Sequence, residues 1–190
     1  MTKGTKAFRI IISILLAITM IISAFFTFFF CLYFATDPFR IYVAGVAVNR
    51  SNEDDVLGDG TVYYDENNNI LTFENATIES DVAVVYSKID LNIRLIGENK
   101  FVCTGNQEPI GIYAGDYQLS KDLAIVGDGS LTIEIPNESD QAVGIAAASL
   151  TIGSDVTVTT PDCENMVNGI VCATDLMVVS KATVTVNSGA

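Results

Sequence analysis

The chain has 190 residues, a net charge of −13 and no histidine. The charge is divided unevenly: residues 1–36 contain three basic residues and no acidic one, whereas residues 37–190 contain 7 basic and 23 acidic residues, a net charge of −16. A segment this acidic repels phosphate groups, which argues against nucleic-acid binding. The lack of histidine removes the commonest general base and the commonest transition-metal ligand.

A basic tail at residues 1–9 precedes a long apolar segment at residues 10–35, which contains no charged residue. A helix of that length would be about 39 Å long, enough to cross a hydrocarbon core of about 30 Å. We expect an uncleaved signal-anchor helix in the cell membrane, with the basic tail in the cytoplasm and residues 37–190 outside. A cleaved secretory signal is the alternative, although its apolar core is usually shorter.

Residues 37–80 are predicted to form a β cap unit with tight turns. The dipeptide Asp37-Pro38 marks the end of the helix, because the residue before a proline avoids the α region. Four short strands are predicted at residues 41–43, 46–48, 61–64 and 71–74. The polar turn at residues 65–69 is rich in asparagine, which tolerates left-handed backbone angles, so it is predicted to join the last two strands as a hairpin.

One pattern recurs with different letters between residues 81 and 190. It is found at Val84-Val85-Tyr86-Ser87, Gly111-Ile112-Tyr113-Ala114, Gly144-Ile145-Ala146-Ala147 and Gly169-Ile170-Val171-Cys172. Each copy leads to an alternating strand that begins with a leucine, and these leucines (Leu91, Leu123, Leu150 and Leu176) are spaced 32, 27 and 26 residues apart. Periods of 20 to 50 residues indicate stacked repeats. Residues 139–150, with four alanines, could instead form a short helix; we predict a strand because Gly144 is in register.

From about residue 81 onward, apolar and polar residues alternate more cleanly than in the cap unit. Leu131, Ile133 and Ile135 fall on one face of their strand, with Thr132 and Glu134 on the other. Such alternation is typical of half-buried strands. We therefore predict an all-β parallel solenoid of about four coils after the hairpin cap and the transmembrane helix. A β-sandwich also gives short, regularly spaced strands, but its strands need not repeat one internal pattern.

The predicted repeats stop directly after a strand at residues 184–186, without a polar capping unit. An open strand edge is a template for pairing with another chain. We therefore expect either that residues 81–190 are a truncated set of repeats from a longer surface protein or that this edge meets a partner.

Cysteine usage gives a second expectation for the repeats. Cys172 occupies the repeat position of Ser87, Ala114 and Ala147, which is typical of a small core residue. A disulfide between Cys163 and Cys172 is the alternative to free buried thiols.

Residues 55–65 (DVLGDGTVYYD) and 70–76 (ILTFENA) resemble the opening of clostridial-type surface proteins with right-handed parallel β-helix repeats. Residues 111–114 and 122–133 resemble their coils, and the similarity covers residues 41–190. Some members are described as carbohydrate-binding domains with a shape related to pectate lyases. The resemblance therefore implies a right-handed parallel β-helix that binds cellulose or acidic plant polysaccharide, and calcium.

The sequence offers few candidate site residues. Sugar binding usually needs an aromatic platform with polar groups beside it, and the chain has no tryptophan. The ligand-binding candidates are Tyr117, Asp116, Tyr113 and Tyr64, although any single tyrosine could instead fill the core or its rim. The calcium candidates are Asn52, Asp54, Asp55 and Asp59, which form the densest group of hard oxygens. Their spacing does not match an EF-hand loop, and a solvated acidic turn is the alternative.

These observations predict a membrane-anchored, extracytoplasmic module without catalysis that binds glycan or serves in surface display. Its expected partners are the lipid bilayer through residues 10–35 and a polysaccharide or a cell-surface protein; no cofactor is expected apart from calcium. One alternative is a structural or adhesive stalk that pairs through its open C-terminal edge. A polysaccharide lyase is the other, and its base would be Lys88, Arg94, Lys100 or Lys121.

Overall fold

The structure is a computed structural model that describes residues 3–35, 39–105, 108–116, 118–136, 142–160, 167–179 and 181–188. The chain divides into two compact units, Met1–Thr36 and Asp37–Ala190. The predicted helix end at Asp37-Pro38 lies outside the described residues.

The first unit contains helix α1, Lys3–Ala35. Its segment Ile11–Phe30 has a mean hydropathy of 2.5 and is long and apolar enough to cross a membrane, a test that a signal sequence also passes. The hydroxyl groups of Thr19 and Thr27 donate hydrogen bonds of 2.9 Å to backbone carbonyls one turn earlier, so neither needs a partner from the surroundings. The helix is therefore compatible with a membrane anchor or a signal sequence.

The second unit consists of short strands and turns. Its strands in the described residues are β1 (Ile41–Val43), β2 (Val46–Ala47), β3 (Val62–Asp65), β4 (Ile70–Glu74), β5 (Thr77–Ser80), β6 (Val85–Ser87), β7 (Leu91–Ile96), β8 (Glu98–Cys103), β9 (Ile110–Ala114), β10 (Leu123–Gly127), β11 (Ser130–Glu134), β12 (Ala142–Ala147), β13 (Leu150–Ile152), β14 (Asp155–Thr160), β15 (Val167–Cys172), β16 (Leu176–Val178) and β17 (Val184–Ser188). The all-β prediction for this unit is confirmed, and the ambiguous alanine-rich segment contains strand β12 rather than a helix.

The strands form three sheets with mostly parallel pairing. Sheet A has the order β15-β12-β9-β6-β1-β2, sheet B the order β16-β13-β10-β7-β4-β3, and sheet C the order β17-β14-β11-β8-β5. From β4 onward, successive strands join sheets B, C and A in turn. Only the pairs β1–β2, β1–β6 and β3–β4 are antiparallel among the described strands.

The predicted hairpin is confirmed. Strands β3 and β4 pair antiparallel, with Tyr64 opposite Leu71, around a turn in which Asn69 has a φ of 52°. Strands β1 and β2 pair in the same way around Gly45, whose φ is 79°. Parallel pairing begins earlier than the predicted boundary at residue 81, because β4 and β5 already pair with β7 and β8. β4 and β5 are so short that their residue pattern does not distinguish them from the strands of the predicted cap unit.

Residues at equivalent positions of the recurring pattern lie side by side. In sheet B, Leu123 is opposite both Leu91 and Leu150, and Leu150 is opposite Leu176. In sheet A, Tyr113 is opposite both Tyr86 and Ala146. Because side chains alternate between the two faces of a strand, this register places each row of equivalent residues on one face.

The inward rows form one hydrophobic core shared by the three sheets. The predicted inward residues Leu131, Ile133 and Ile135 are at most 2% exposed, which confirms that part of the pattern. Between sheets B and C, the rings of Phe73 and Phe101 meet edge to face with centroids 5.0 Å apart. Burial of each such side chain contributes about 1.5–3 kcal/mol.

The glycine that opens three of the four copies of the recurring pattern has a packing reason; the first copy has Val84 at that position. A Cβ atom at Gly144 would overlap the side chain of Val158 and the carbonyl oxygen of Gly169, and Gly111 meets Ile133 in the same way. At Gly111 and Gly144, sheet A therefore approaches sheet C too closely for a larger residue.

A buried asparagine stands in one of the inward rows. Asn99, opposite Leu131, is 3% exposed. Its Oδ1 accepts a hydrogen bond of 3.0 Å from the Ala76 amide, and its Nδ2 donates to the carbonyls of Ile96 and Ser130, both at 3.2 Å. The side chain thus links the segment before β5, the end of β7 and the start of β11. Its polar atoms all have hydrogen-bond partners.

The packing predicts unequal effects for two neighbouring truncations in β8. Phe101→Ala removes a fully buried ring and should lower the free energy of unfolding by about 3–5 kcal/mol. Val102→Ala, on the half-buried outer face of the same strand, should cost less than about 1 kcal/mol. Urea unfolding of the full chain in detergent, followed by circular dichroism, measures both; equal effects would contradict the assignment of faces.

Candidate functional site

Three tyrosines form a row on the outer face of sheet A. Tyr42 on β1 is opposite Tyr86 on β6, and Tyr86 is opposite Tyr113 on β9. Their ring centroids are 5.8 Å and 5.7 Å apart, with interplanar angles of 23° and 51°. Each ring is half-buried while its strand neighbours are buried, as alternation requires. We call Tyr42, Tyr86 and Tyr113 the tyrosine ladder.

Two basic residues lie at the end of the strands that carry the ladder. The Lys88 Nζ lies 5.7 Å from the centroid of Tyr42 and 5.6 Å from that of Tyr86, which is cation–π distance. The Arg40 guanidinium is 3.9 Å from the Asp116 carboxylate, and both side chains are about half exposed. An exposed pair of this kind contributes at most about 1 kcal/mol.

Backbone hydrogen bonds hold these segments side by side. The Lys88 amide donates to the Arg40 carbonyl at 2.9 Å, and the Gly115 amide donates to the Ser87 carbonyl at 2.9 Å. Arg40, Lys88 and Asp116 therefore line the same border of the ladder.

The phenol of Tyr113 stays protonated near neutral pH. Burial raises the pKa of Tyr113, and the neighbouring Tyr86 and Asp116 act in the same direction. Tyr113 can therefore offer aromatic surface together with a neutral hydroxyl group.

The structure brings two of the predicted ligand-binding residues, Tyr113 and Asp116, to this face. Tyr117 lies outside the described residues. Tyr64 lies elsewhere: it is 7% exposed, its ring centroid is 4.9 Å from that of Phe39, and its hydroxyl donates to the Asn69 Oδ1 at 3.0 Å. Tyr64 thus packs at the rim of the core.

Sequence reasoning missed Tyr42 and Tyr86 as site residues, and it considered Lys88 only as a lyase base. The signal for Tyr86 was present, because Tyr86 and Tyr113 occupy the same position of the recurring pattern. Tyr42 gave no such signal, since β1 joins sheet A antiparallel and stands outside the pattern.

The calcium candidates are used largely in turns. The Asp55 Oδ1 accepts hydrogen bonds from the amides of Gly58 and Gly60 at 2.9 and 3.0 Å. The Asp59 Oδ1 accepts from the Thr61 amide and hydroxyl, which lowers the pKa of Asp59. The described residues contain no group of three or more Asp, Glu, Cys or His side chains placed to hold a metal ion. Calcium binding stays a prediction.

The other two calcium candidates, Asn52 and Asp54, have different surroundings. The Asn52 Oδ1 accepts a hydrogen bond of 2.8 Å from the Asn49 amide. Asp54 lines a concave, acidic surface together with Glu53, Tyr64 and Glu66. Burial and the negative charges of Glu66 and Asp54 raise the pKa of Glu53, whereas Arg50 opposes them.

Three of the four basic residues considered for lyase chemistry lie on or beside three different sheets, and the fourth, Lys121, lies between β9 and β10. Lys88 borders the ladder of sheet A, and Arg94 lies on β7 of sheet B. The Lys100 Nζ, on β8 of sheet C, is 2.7 Å from the Glu134 carboxylate.

No protein-family model, no curated protein and no solved structure matches this chain. A function must therefore be inferred from the geometry of the chain itself, and the resemblance to clostridial-type surface proteins stays a prediction.

The cysteines give a prediction about the reactivity of buried and half-buried thiols. Cys103 is buried, and burial raises the pKa of its thiol to about 12, whereas Cys172 is a half-buried free thiol opposite Ala147. Cys163 lies outside the described residues. Since only the thiolate reacts, Cys103 should resist alkylation by iodoacetamide at pH 8 in the folded chain and react after unfolding, while Cys172 reacts faster in the folded chain. Site-resolved mass spectrometry measures both, and rapid labelling of folded Cys103 would contradict its burial.

Proposed function

We propose that residues 37–190 form a right-handed parallel β-helix outside the cell, anchored by α1, that binds a glycan polymer without catalysis on the tyrosine ladder. The observation that carries this proposal is the in-register row of Tyr42, Tyr86 and Tyr113, with Lys88 placed over two of the rings.

The order of the strands supports a helical winding. Successive strands from β4 onward join sheets B, C and A in turn, and each strand from β4 to β14 pairs parallel with the strand three positions later in the chain. A polypeptide that winds around one core with three strands in each turn has this order. Right-handed crossovers are strongly preferred between parallel strands.

The composition of helix α1 supports the proposal of a membrane anchor. Its apolar span is long enough to cross a bilayer, and three basic residues with no acidic one precede or begin it. Positive charge on the near side favours a cytoplasmic N-terminus, which places residues 37–190 outside.

The ladder suits a linear polymer better than a small molecule. It lies on an open sheet face, and it crosses the strands, which are about 4.8 Å apart, so its rings and hydroxyl groups repeat along one line. Aromatic rings pack against the apolar faces of sugar rings, while phenol groups hydrogen-bond with sugar hydroxyls.

Positive charge at the border of the ladder gives a glycan carboxylate one place to bind on an otherwise acidic unit, although Asp116 pairs with Arg40 there. Arg40 and Lys88 are two of the seven basic residues in a segment of net charge −16, and both border the ladder. They are the groups that would attract uronate carboxylates, which the acidic remainder of the unit repels.

Removal of the central ring tests the proposal. Tyr86→Ala should weaken retention on polygalacturonate by roughly 10- to 30-fold, because truncation of a central tyrosine at a binding surface typically costs about 2 kcal/mol. Tyr63→Ala removes the same atoms from a half-exposed tyrosine of sheet B and is the matched control. Affinity electrophoresis of the full chain in detergent, with cellulose pull-down as the neutral comparison, measures the effect.

The proposal fails if the unaltered chain is retained on neither polymer. It also fails if Tyr86→Ala and Tyr63→Ala bind as well as the unaltered chain.

A further inference from the structure

The tyrosine ladder is short, and the row that contains it continues with small residues on both sides. Tyr42 is opposite Ala47 on β2, and Tyr113 is opposite Ala146 on β12. Three neighbouring strands span roughly 10 Å, and the ring centroids are 5.8 Å and 5.7 Å apart. A linear glycan laid across the strands therefore meets aromatic surface over only a few successive sugars.

The charged residues beside the ladder are placed unevenly along it. The Lys88 Nζ is almost equally distant from the ring centroids of Tyr42 and Tyr86, at 5.7 and 5.6 Å. Asp116 instead follows Tyr113 in the chain, and burial, Tyr86 and the charge of Asp116 together raise the pKa of the Tyr113 phenol. A ligand therefore meets a cation at one part of the ladder and a carboxylate at the other.

The three charged residues that line this border carry a net charge of +1. The Arg40 guanidinium is 3.9 Å from the Asp116 carboxylate, whereas Lys88 takes part in none of the ion pairs between described residues. The border can therefore balance the charge of one ligand carboxylate, and Lys88 is the residue placed to receive it.

A second carboxylate on the same stretch of ligand would be repelled. Apart from Arg40, Lys88 and Asp116, residues 37–190 contain 5 basic and 22 acidic residues. A surface of this charge raises the free energy of each further anionic group brought close to it.

We infer that the ladder recognises a sparsely charged linear glycan, with a uronate at Lys88 and an uncharged sugar at Tyr113. The inference rests on the proposed function and names its ligand class, a polymer in which uronates are interspersed with neutral or esterified sugars. The Tyr113 hydroxyl offers hydrogen bonds to neutral sugar hydroxyls. A carboxylate on every sugar would place a negative charge beside Asp116, and a polymer without any would gain nothing from Lys88.

Pectins with graded methyl esterification test the inference, because each ester removes one negative charge from the polymer. Affinity electrophoresis of the full chain in non-ionic detergent should show the tightest binding at intermediate esterification. Unesterified polygalacturonate and fully esterified pectin should each bind roughly 3- to 5-fold more weakly, which is the size of the effect of one exposed charge pair.

Two substitutions should move this optimum in opposite directions. Asp116→Asn should strengthen binding to polygalacturonate roughly 3- to 5-fold, because it removes a repelling charge and releases Arg40. Lys88→Gln should weaken that binding by a similar factor and leave binding to fully esterified pectin unchanged. Two controls remove the same charges away from sheet A, and screening by salt should limit their effect to less than about twofold: Asp128→Asn, in the turn between β10 and β11, and Lys100→Gln, on β8.

Binding that rises steadily with polymer charge, or that does not depend on esterification, would overturn the inference. So would an unchanged optimum in both Asp116→Asn and Lys88→Gln; if one variant loses the native circular dichroism spectrum, the other decides. In these cases weaker binding of Tyr86→Ala would leave the proposed function standing. Failure of the unaltered chain to bind any of the polymers would overturn both.

Discussion

In-register stacking of inward aliphatic side chains is the constraint on which the rest of the strand unit depends. Leu123 lies between Leu91 and Leu150 in sheet B, and Ile133 lies between Phe101 and Val158 in sheet C. A slip of one residue in any strand would turn its apolar side chains outward, so the register is firmly specified. The same register also aligns the outward residues, and the tyrosine ladder follows from it.

The sequence predicted the parts of this arrangement that recur. The aligned leucines and the alternating valines carry a strong periodic signal, and the glycine at the start of the pattern reflects the close approach of sheets A and C. A structural feature that occurs only once in the chain carries no periodic signal. Asn99 is a polar residue in an inward row, and only its backbone hydrogen-bond partners explain why it can be buried there.

The candidate site was predictable only in part for a related reason. Tyr113 was a candidate because a chain without tryptophan must use tyrosine as an aromatic platform, but its neighbours on the ladder come from strands 27 residues or more away. Lys88 acquires a role only when β1 and β6 bring two rings beneath it. Asp55 and Asp59 were calcium candidates in sequence, and the structure shows both accepting hydrogen bonds within turns. Sequence alone does not separate these two uses, because acidic turns and calcium-binding loops contain the same residue types.

The central claim is the parallel register, and thiol cross-linking tests it most directly. Ala124 and Thr151 are opposite each other on the outer face of sheet B, whereas Val126 and Thr151 are offset by two residues. Because neighbouring strands are about 4.8 Å apart, Ala124→Cys with Thr151→Cys should be cross-linked efficiently by dibromobimane, and Val126→Cys with Thr151→Cys much less. Equal cross-linking of the two pairs, or preference for the offset pair, would contradict the account.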